Sequence, residues 1–328
     1  MQIDNIKGIL ILLVIFGHAL ELLRITSPVA AYLYNFIYMF HMPVFIFISG
    51  FLAKDLTKGS QKAFRTLFIP FLLFNSLWNI VQITSTYFVT LPLDSPEAFS
   101  FLNPGWALWF ILALFMWKML LPDLVKMKNL FAIVFIIGLF SRLFTEFNIF
   151  LSLSRLLVFS PYFVGGYLFN RAGLDRLRKI HYAVPLALLV STLVFNYYFS
   201  FFTSFPTEFL WADRAFNFFS AHVITSIFFG LILYFIGFSF VIIFIKFTSK
   251  KENFLTRVGQ HSFSVYILHT YLIGTISFAL IKVNPTLQIV ILAIVSIVLA
   301  FGLSSSFVHR HFTGILLKID QFLFKRSH

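Results

Sequence analysis

The chain has 328 residues, 59% hydrophobic and 11% charged, with a formal net charge of +13 at pH 7 and a mean hydropathy of +0.91. A soluble domain needs a polar surface, so this composition excludes one and reads as a polytopic membrane protein. The positive charge lies in short loops between apolar runs, a topology signal rather than a nucleic-acid footprint, and the lack of Cys excludes thiol nucleophiles, disulfides and thiolate metal sites.

A helix crossing the bilayer core needs about 20 apolar residues. Windows of that order fall near 6–23, 31–53, 64–89, 105–121, 129–145, 154–170, 182–202, 221–246, 263–281 and 286–308. The expected fold is all-α: one bundle, 1–328, of about ten transmembrane helices. The runs are continuous rather than alternating, which fits helices and not a barrel.

The first window has Asp4 and Lys7 at one end and Glu21 and Arg24 at the other, with no small-x-small cleavage pattern. It reads as a retained span. Lys7 and His18 are eleven residues apart, which places them on one helical face about 16 Å apart. Asp4 and Glu21 lie three residues outside them and can approach the same face. Lys7 is then a topology signal or an inner-surface cation. His18, near or beyond mid-plane, is a helix-packing hydrogen bonder or a titratable base.

The second window holds "FHMPVFIFISG" (40–50), where Pro43 interrupts the helical ladder just after His41. His41 either partners His18 at comparable depth or shapes the kink. In the third window Asn75, Asn79, Gln82 and Thr86 form one polar stripe beside Trp78. Such a stripe glues helices or lines a hydrophilic path. "PGWALWF" (104–110) places Trp106 and Trp109 at the outer interface, as an aromatic belt or a stacking surface for sugars. Arg155 opens the sixth window, to hold an anionic or polar acceptor or to snorkel. His269 is a further intramembrane candidate, while His222 and His261 fall near helix ends. The tail 309–328 interleaves basic residues with Ile315, Leu316, Ile319, Phe322 and Leu323, in the manner of an amphipathic helix on the inner leaflet. No Walker A, HExxH or Gly-x-Ser-x-Gly sequence occurs, and the His residues have no metal-ligand spacing.

With the N-terminus inside, twenty of the 25 Lys and Arg fall on the cytoplasmic side, while the acidic residues divide evenly. That is the bias of the positive-inside rule, and it predicts an N-in, C-in topology.

"DNIKGILILLVIFGH" (4–18), "FHMPVFIFISGF" (40–51), "FRTLFIPF" (64–71), "ALWFILAL" (107–114), "SRLLVFSPYFVGGYLF" (154–169) and "GQHSFSVYILH" (259–269) together resemble the acyltransferase family 3 membrane proteins, in particular the fucose 4-O-acetylase-like branch. The resemblance covers essentially the whole chain in matching order. It implies an integral membrane O-acyltransferase, usually an O-acetyltransferase, that moves an acetyl group from cytosolic acetyl-CoA to a hydroxyl of a cell-surface or lipid-linked carbohydrate. The expected setting is the bacterial cytoplasmic membrane, with membrane lipids as partners, no metal and no nucleic acid. By motif position His18 matches the family's first-span histidine, generally treated as catalytic. Lys7 stands where many members have arginine, which keeps the charge but loses the bidentate fork. Arg65 lies near a family basic residue that precedes the third span.

On this reading Lys7, Lys54, Lys58, Lys62 and Arg65 hold the donor phosphates. A pantetheine arm of roughly 16–20 Å carries the thioester to His18, the general base, whose tautomer Glu21 or His41 sets. Asn75, Asn79, Gln82, Trp109, Arg155 and His269 are the candidate acceptor-binding residues. Direct transfer is favoured over an acyl-His intermediate. The rival readings are a transporter or flippase with a titratable central cavity and a non-catalytic membrane scaffold.

Overall fold

The computed structural model describes residues 1–88, 100–147, 150–203, 206–219, 222–280 and 282–324, which form helices and connecting turns with no strand among them. The α-helices are α1 (Gln2–Ala19), α2 (Pro28–Tyr38), α3 (His41–Leu52), α4 (Leu56–Ala63), α5 (Ile69–Phe88), α6 (Trp109–Leu124), α7 (Leu130–Phe140), α8 (Leu153–Leu168), α9 (Arg171–Lys179), α10 (Ala183–Phe202), α11 (Val223–Phe247), α12 (Phe254–Gln260), α13 (Ser262–Ala279), α14 (Pro285–Leu303) and α15 (Ser306–Leu323).

Among the described residues, eight segments are long and apolar enough to cross a membrane, with α2 and α3 counted as one 25-residue span. The expected spans 129–145 and 154–170 correspond to Leu130–Leu143 and α8, which are shorter. At 1.5 Å per residue neither reaches the ~30 Å of a bilayer core. Burial separates centre from rim. The α2–α3 span is 72% buried and α1 56%, whereas α5, α10 and α14 are each 22% buried. The last three present their apolar sides outward, as lipid-facing helices do.

Side-chain amides anchor the start of α1. Gln2 donates to the Ile245 and Thr248 carbonyls, and Asn5 donates to those of Ser249 and Lys251, all at 2.9 Å. These bonds satisfy the carbonyls where α11 ends, which have no partner in their own helix. Behind this anchor Ile6, Leu10, Ile11, Val14, Ile15 and Ala19 are buried against the surrounding helices. The rotation of α1, and with it the direction of His18, is therefore fixed at both levels.

The break between α2 and α3 lies at Met39–Phe40. Pro43 sits in the first turn of α3 and has no N–H to return to Met39 four residues earlier, so the ladder opens there. Ser27 caps the start of α2, accepting from the Ala30 N–H at 3.3 Å, with Pro28 in the favoured first position. A similar cause applies before α5. Pro70 cannot bond back to Thr66, and Phe64–Phe68 forms a π-helical turn. The α3 and α8 backbones meet at Gly50 and Gly166, where a Cβ would run into the Phe163 and Phe47 carbonyls. Small residues at a membrane-helix contact permit that approach.

Candidate active site

The end of α1 delivers His18, and the turn that follows delivers Glu21. Helix α2 faces them with Tyr34 and Tyr38, one turn apart and stacked at 3.8 Å between ring centres. The Tyr38 hydroxyl lies 3.3 Å from His18 Nδ1 and 3.4 Å from Glu21 Oε2. The Tyr34 hydroxyl donates to the same carboxylate oxygen at 2.7 Å. Trp211 Nε1 donates in turn to the Tyr34 hydroxyl at 2.9 Å. Burial pushes the Glu21 carboxyl above its ordinary pKa, while Arg24 and the two tyrosine hydroxyls pull it back. Arg24 is 3.6 Å from Glu21 and 2.9 Å from Glu208.

A carboxylate only accepts, so Tyr38 donates to Glu21 and its oxygen is then available to the Nδ1–H of His18. In that arrangement His18 Nε2 carries the lone pair. Glu21 thus reaches His18 through Tyr38, a residue absent from the sequence-based candidates. The signal was faint: two tyrosines four apart in an apolar helix.

The other histidines surround this unit differently. The His269 ring centre is 5.4 Å from that of His18. His269 is fully buried, its Nδ1 is 3.1 Å from the Val265 carbonyl, and its Nε2 has no hydrogen-bond partner. His41 Nδ1 is 2.8 Å from the Ile37 carbonyl across the α2–α3 break, and its ring meets the edge of Tyr38 at 4.7 Å. A carbonyl cannot donate, so Nδ1 is the protonated nitrogen in both rings. His41 therefore braces Tyr38, and no bond joins it to His18 among the described contacts.

Trp106 closes the opposite side, with its ring centre 4.4 Å from that of His18. Its φ is +36°, in the region L residues rarely adopt. Such a backbone costs about 1–3 kcal/mol and persists only where its surroundings hold it. Asn75 and Asn79 do so. Asn75 Nδ2 is 3.1 Å from each of the Ser100, Phe101 and Asn103 carbonyls, and its Oδ1 accepts from the Gly105 N–H at 2.8 Å. Asn79 exchanges bonds with Ser100 at 3.2 Å in both directions. Asn75 and Asn79 of the polar stripe thus hold the partly buried loop before Trp106, whose amides and carbonyls need partners. Gln82, further along the stripe, is exposed. The Thr86 side chain lies outside the described residues. Trp78 stacks on Trp106 at 5.6 Å and extends the aromatic wall.

Trp109 and Arg155 form a second layer. Trp109 stacks on Phe159 at 5.3 Å, and the Arg155 guanidinium lies 5.2 Å from the Trp109 ring. Arg155 donates to the Trp211 carbonyl and to Asp213, each at 3.0 Å. Trp211 is the residue bonded to Tyr34, so Arg155 supports the site through the segment 206–219. Tyr38 also borders a cavity of about 50 Å3.

The basic candidates are engaged at separate points. Lys7 pairs with Asp4 at 3.1 Å. Lys54 caps the end of α8, donating to the Tyr167 carbonyl and, at 2.9 Å, to that of Phe169. Arg65 lies 3.7 Å from Asp320 and 4.2 Å from the Phe324 ring centre. Lys62 lines a cavity of about 320 Å3, and the Lys58 side chain lies outside the described residues. Among the described residues no three His, Asp or Glu side chains are grouped to hold a metal ion.

A family model described as an acyltransferase domain matches residues 2–305. The nodulation protein NolL of Mesorhizobium japonicum is 39% identical over 90 residues, covering 24% of this chain and 24% of that protein. The nodulation protein NolL of Sinorhizobium fredii is 32% identical over 124 residues, covering 34% of each. The matches therefore span a quarter to a third of these curated relatives. No solved structure matches the chain.

Proposed function

Because the chain belongs to the acyltransferase family 3, we propose that it is a membrane O-acyltransferase that moves an acetyl group from acetyl-CoA to a carbohydrate hydroxyl, with His18 as the general base. The observation that carries this reading is the run from His18 Nδ1 through the Tyr38 hydroxyl to Glu21. It leaves Nε2 as a base held in one orientation, the arrangement that acyl transfer to a hydroxyl requires.

The acceptor hydroxyl gives its proton to His18 Nε2 as its oxygen attacks the thioester carbonyl. The tetrahedral adduct collapses with cleavage of the C–S bond, and the imidazolium returns the proton to the departing thiolate. Ester and free CoA thiol are the products, and His18 ends as it began. Glu21, through Tyr38, stabilises the transient imidazolium. The Trp106 face offers a platform for a sugar ring. His269 Nε2, a buried acceptor beside His18 without a partner, is suited to a neighbouring hydroxyl of the acceptor. No Cys exists to carry the acyl group as a thioester, and direct transfer is favoured over an acyl-His intermediate. The orientation is N-in, C-in in the bacterial cytoplasmic membrane, with the donor arriving from the cytosol.

Mass spectrometry of cell-surface glycans tests the reading. Deletion of the gene removes acetyl ester from a glycan, and the wild-type chain restores it. Unchanged acetylation on deletion contradicts the reading.

A further inference from the structure

Lys7, Lys54 and Arg65 each have a partner within the chain, and one cavity is lined by two further lysines. It has a volume of about 320 Å3, within the range of small-molecule sites, and lies between the end of α3, helix α4, the π-helical turn and the last turns of α6. Lys62 and Lys118 both line it, with Asp55 as the acid among the lining residues. Neither lysine ammonium has a hydrogen-bond or ion-pair partner among the described residues. Lys118 is only partly exposed and sits among apolar residues of α6, whose other charged residue, Asp123, pairs with Lys126. A cation so placed is costly unless an anion or water meets it.

The position along the helices adds a second constraint. Helix α3 begins at His41, whose ring touches Tyr38, and ends at Leu52 in the cavity wall. Those twelve residues span about 16 Å. Helix α6 begins at Trp109, three residues after Trp106, and reaches Lys118 about 14 Å further on. Two helices thus have the candidate active site at one end and this cavity at the other. The separation is the length of a pantetheine arm, roughly 16–20 Å.

We propose that this cavity is a phosphate-ester site in which Lys62 and Lys118 bind the phosphorylated end of the acyl donor; the assignment to the donor rests on the function proposed above. Lys62 belongs to the basic set expected to hold the donor phosphates, and Lys118 is added to it. Lys118 was not among the sequence-based candidates, because it falls at the end of a predicted span where a lysine reads as topology. The two ammonium groups act as point charges on phosphate oxygens. An anionic lipid headgroup presents the same chemistry, so the test carries both sources.

The full chain is placed in nanodiscs of phosphatidylcholine alone or with added phosphatidylglycerol. Coenzyme A binding is measured by calorimetry, and retained phosphatidylglycerol by native mass spectrometry. Lys62→Glu and Lys118→Glu are compared with wild type, with Lys118→Gln as the milder variant and the exposed Lys128→Glu as control. In the neutral discs each cavity variant is expected to weaken CoA binding about tenfold, the loss of a charge-assisted contact. The KM for acetyl-CoA rises and kcat at saturation holds, while Lys128→Glu changes neither. CoA binding unchanged with phosphatidylglycerol retention lost keeps the phosphate site and overturns its assignment to the donor. Neither ligand affected, in variants that keep wild-type thermal stability, overturns the site. A wild-type chain that never consumes acetyl-CoA instead overturns the function, and the lipid arm still reports on the site.

Discussion

At the scale of single residues, Tyr38 connects the carboxylate to the imidazole. Its hydroxyl is the group within reach of both Glu21 and His18. Tyr38→Phe keeps the ring stacked on Tyr34 and removes that hydroxyl alone. The variant is expected to lose about tenfold in kcat, the worth of one orienting hydrogen bond, with thermal stability near wild type. If Glu21 acts through Tyr38, adding Glu21→Gln costs little more, because the two substitutions break one connection. Independent, additive losses in a double-mutant cycle would show that Glu21 works by another route. His18 and Glu21 are legible in the sequence because ionisable groups stand out in an apolar span. Tyr38 is not, since one residue in five of this chain is aromatic and a membrane tyrosine ordinarily packs.

At the scale of elements, α5 governs the shape of the site without touching its chemistry. Asn75 holds three carbonyls and one N–H of the loop that ends in the strained Trp106. Asn75→Ala leaves those partly buried groups without partners. It should cost at least ~2 kcal/mol, read as a lower unfolding midpoint in detergent, and it should lower kcat as Trp106 leaves His18. Full activity and stability in this variant would mean that the loop holds itself. The periodicity of the stripe is plain in the sequence, but its partner is not. The loop lies 25–30 residues further on, and polar spacing on a helix says which face is polar without saying what meets it. Pro43 was more informative, since a missing N–H acts locally, and the α2–α3 break falls where its ring requires. That α7 and α8 are shorter than the eight long apolar segments is not legible from hydropathy, because it reports apolar content and not where a helix ends.

At the scale of the whole molecule, the charge asymmetry predicts an N-in, C-in orientation of the bundle. The absence of Cys makes that orientation directly measurable. Lys128→Cys, in the exposed turn between α6 and α7, and Lys282→Cys, exposed after α13, lie on opposite sides in the N-in, C-in arrangement. In spheroplasts a membrane-impermeant maleimide should label the Lys282→Cys chain at once and the Lys128→Cys chain only after lysis. The reverse order would invert the topology and place the lysine-lined cavity outside, where acetyl-CoA is absent. The rim helices α5, α10 and α14 fit lipid contact, and the central α1–α3 group carries the proposed base and its partners.

The central claim is that His18 is the base for acetyl transfer. It is tested most directly with purified wild-type and His18→Ala chains in nanodiscs, given acetyl-labelled acetyl-CoA and a membrane glycolipid extract. Label transferred to glycan is followed at saturating donor, and CoA binding is measured in parallel. His18→Ala is expected to bind CoA as wild type does and to transfer label at least ~100-fold more slowly, the usual worth of general-base catalysis. Transfer by His18→Ala at the wild-type rate would contradict the claim.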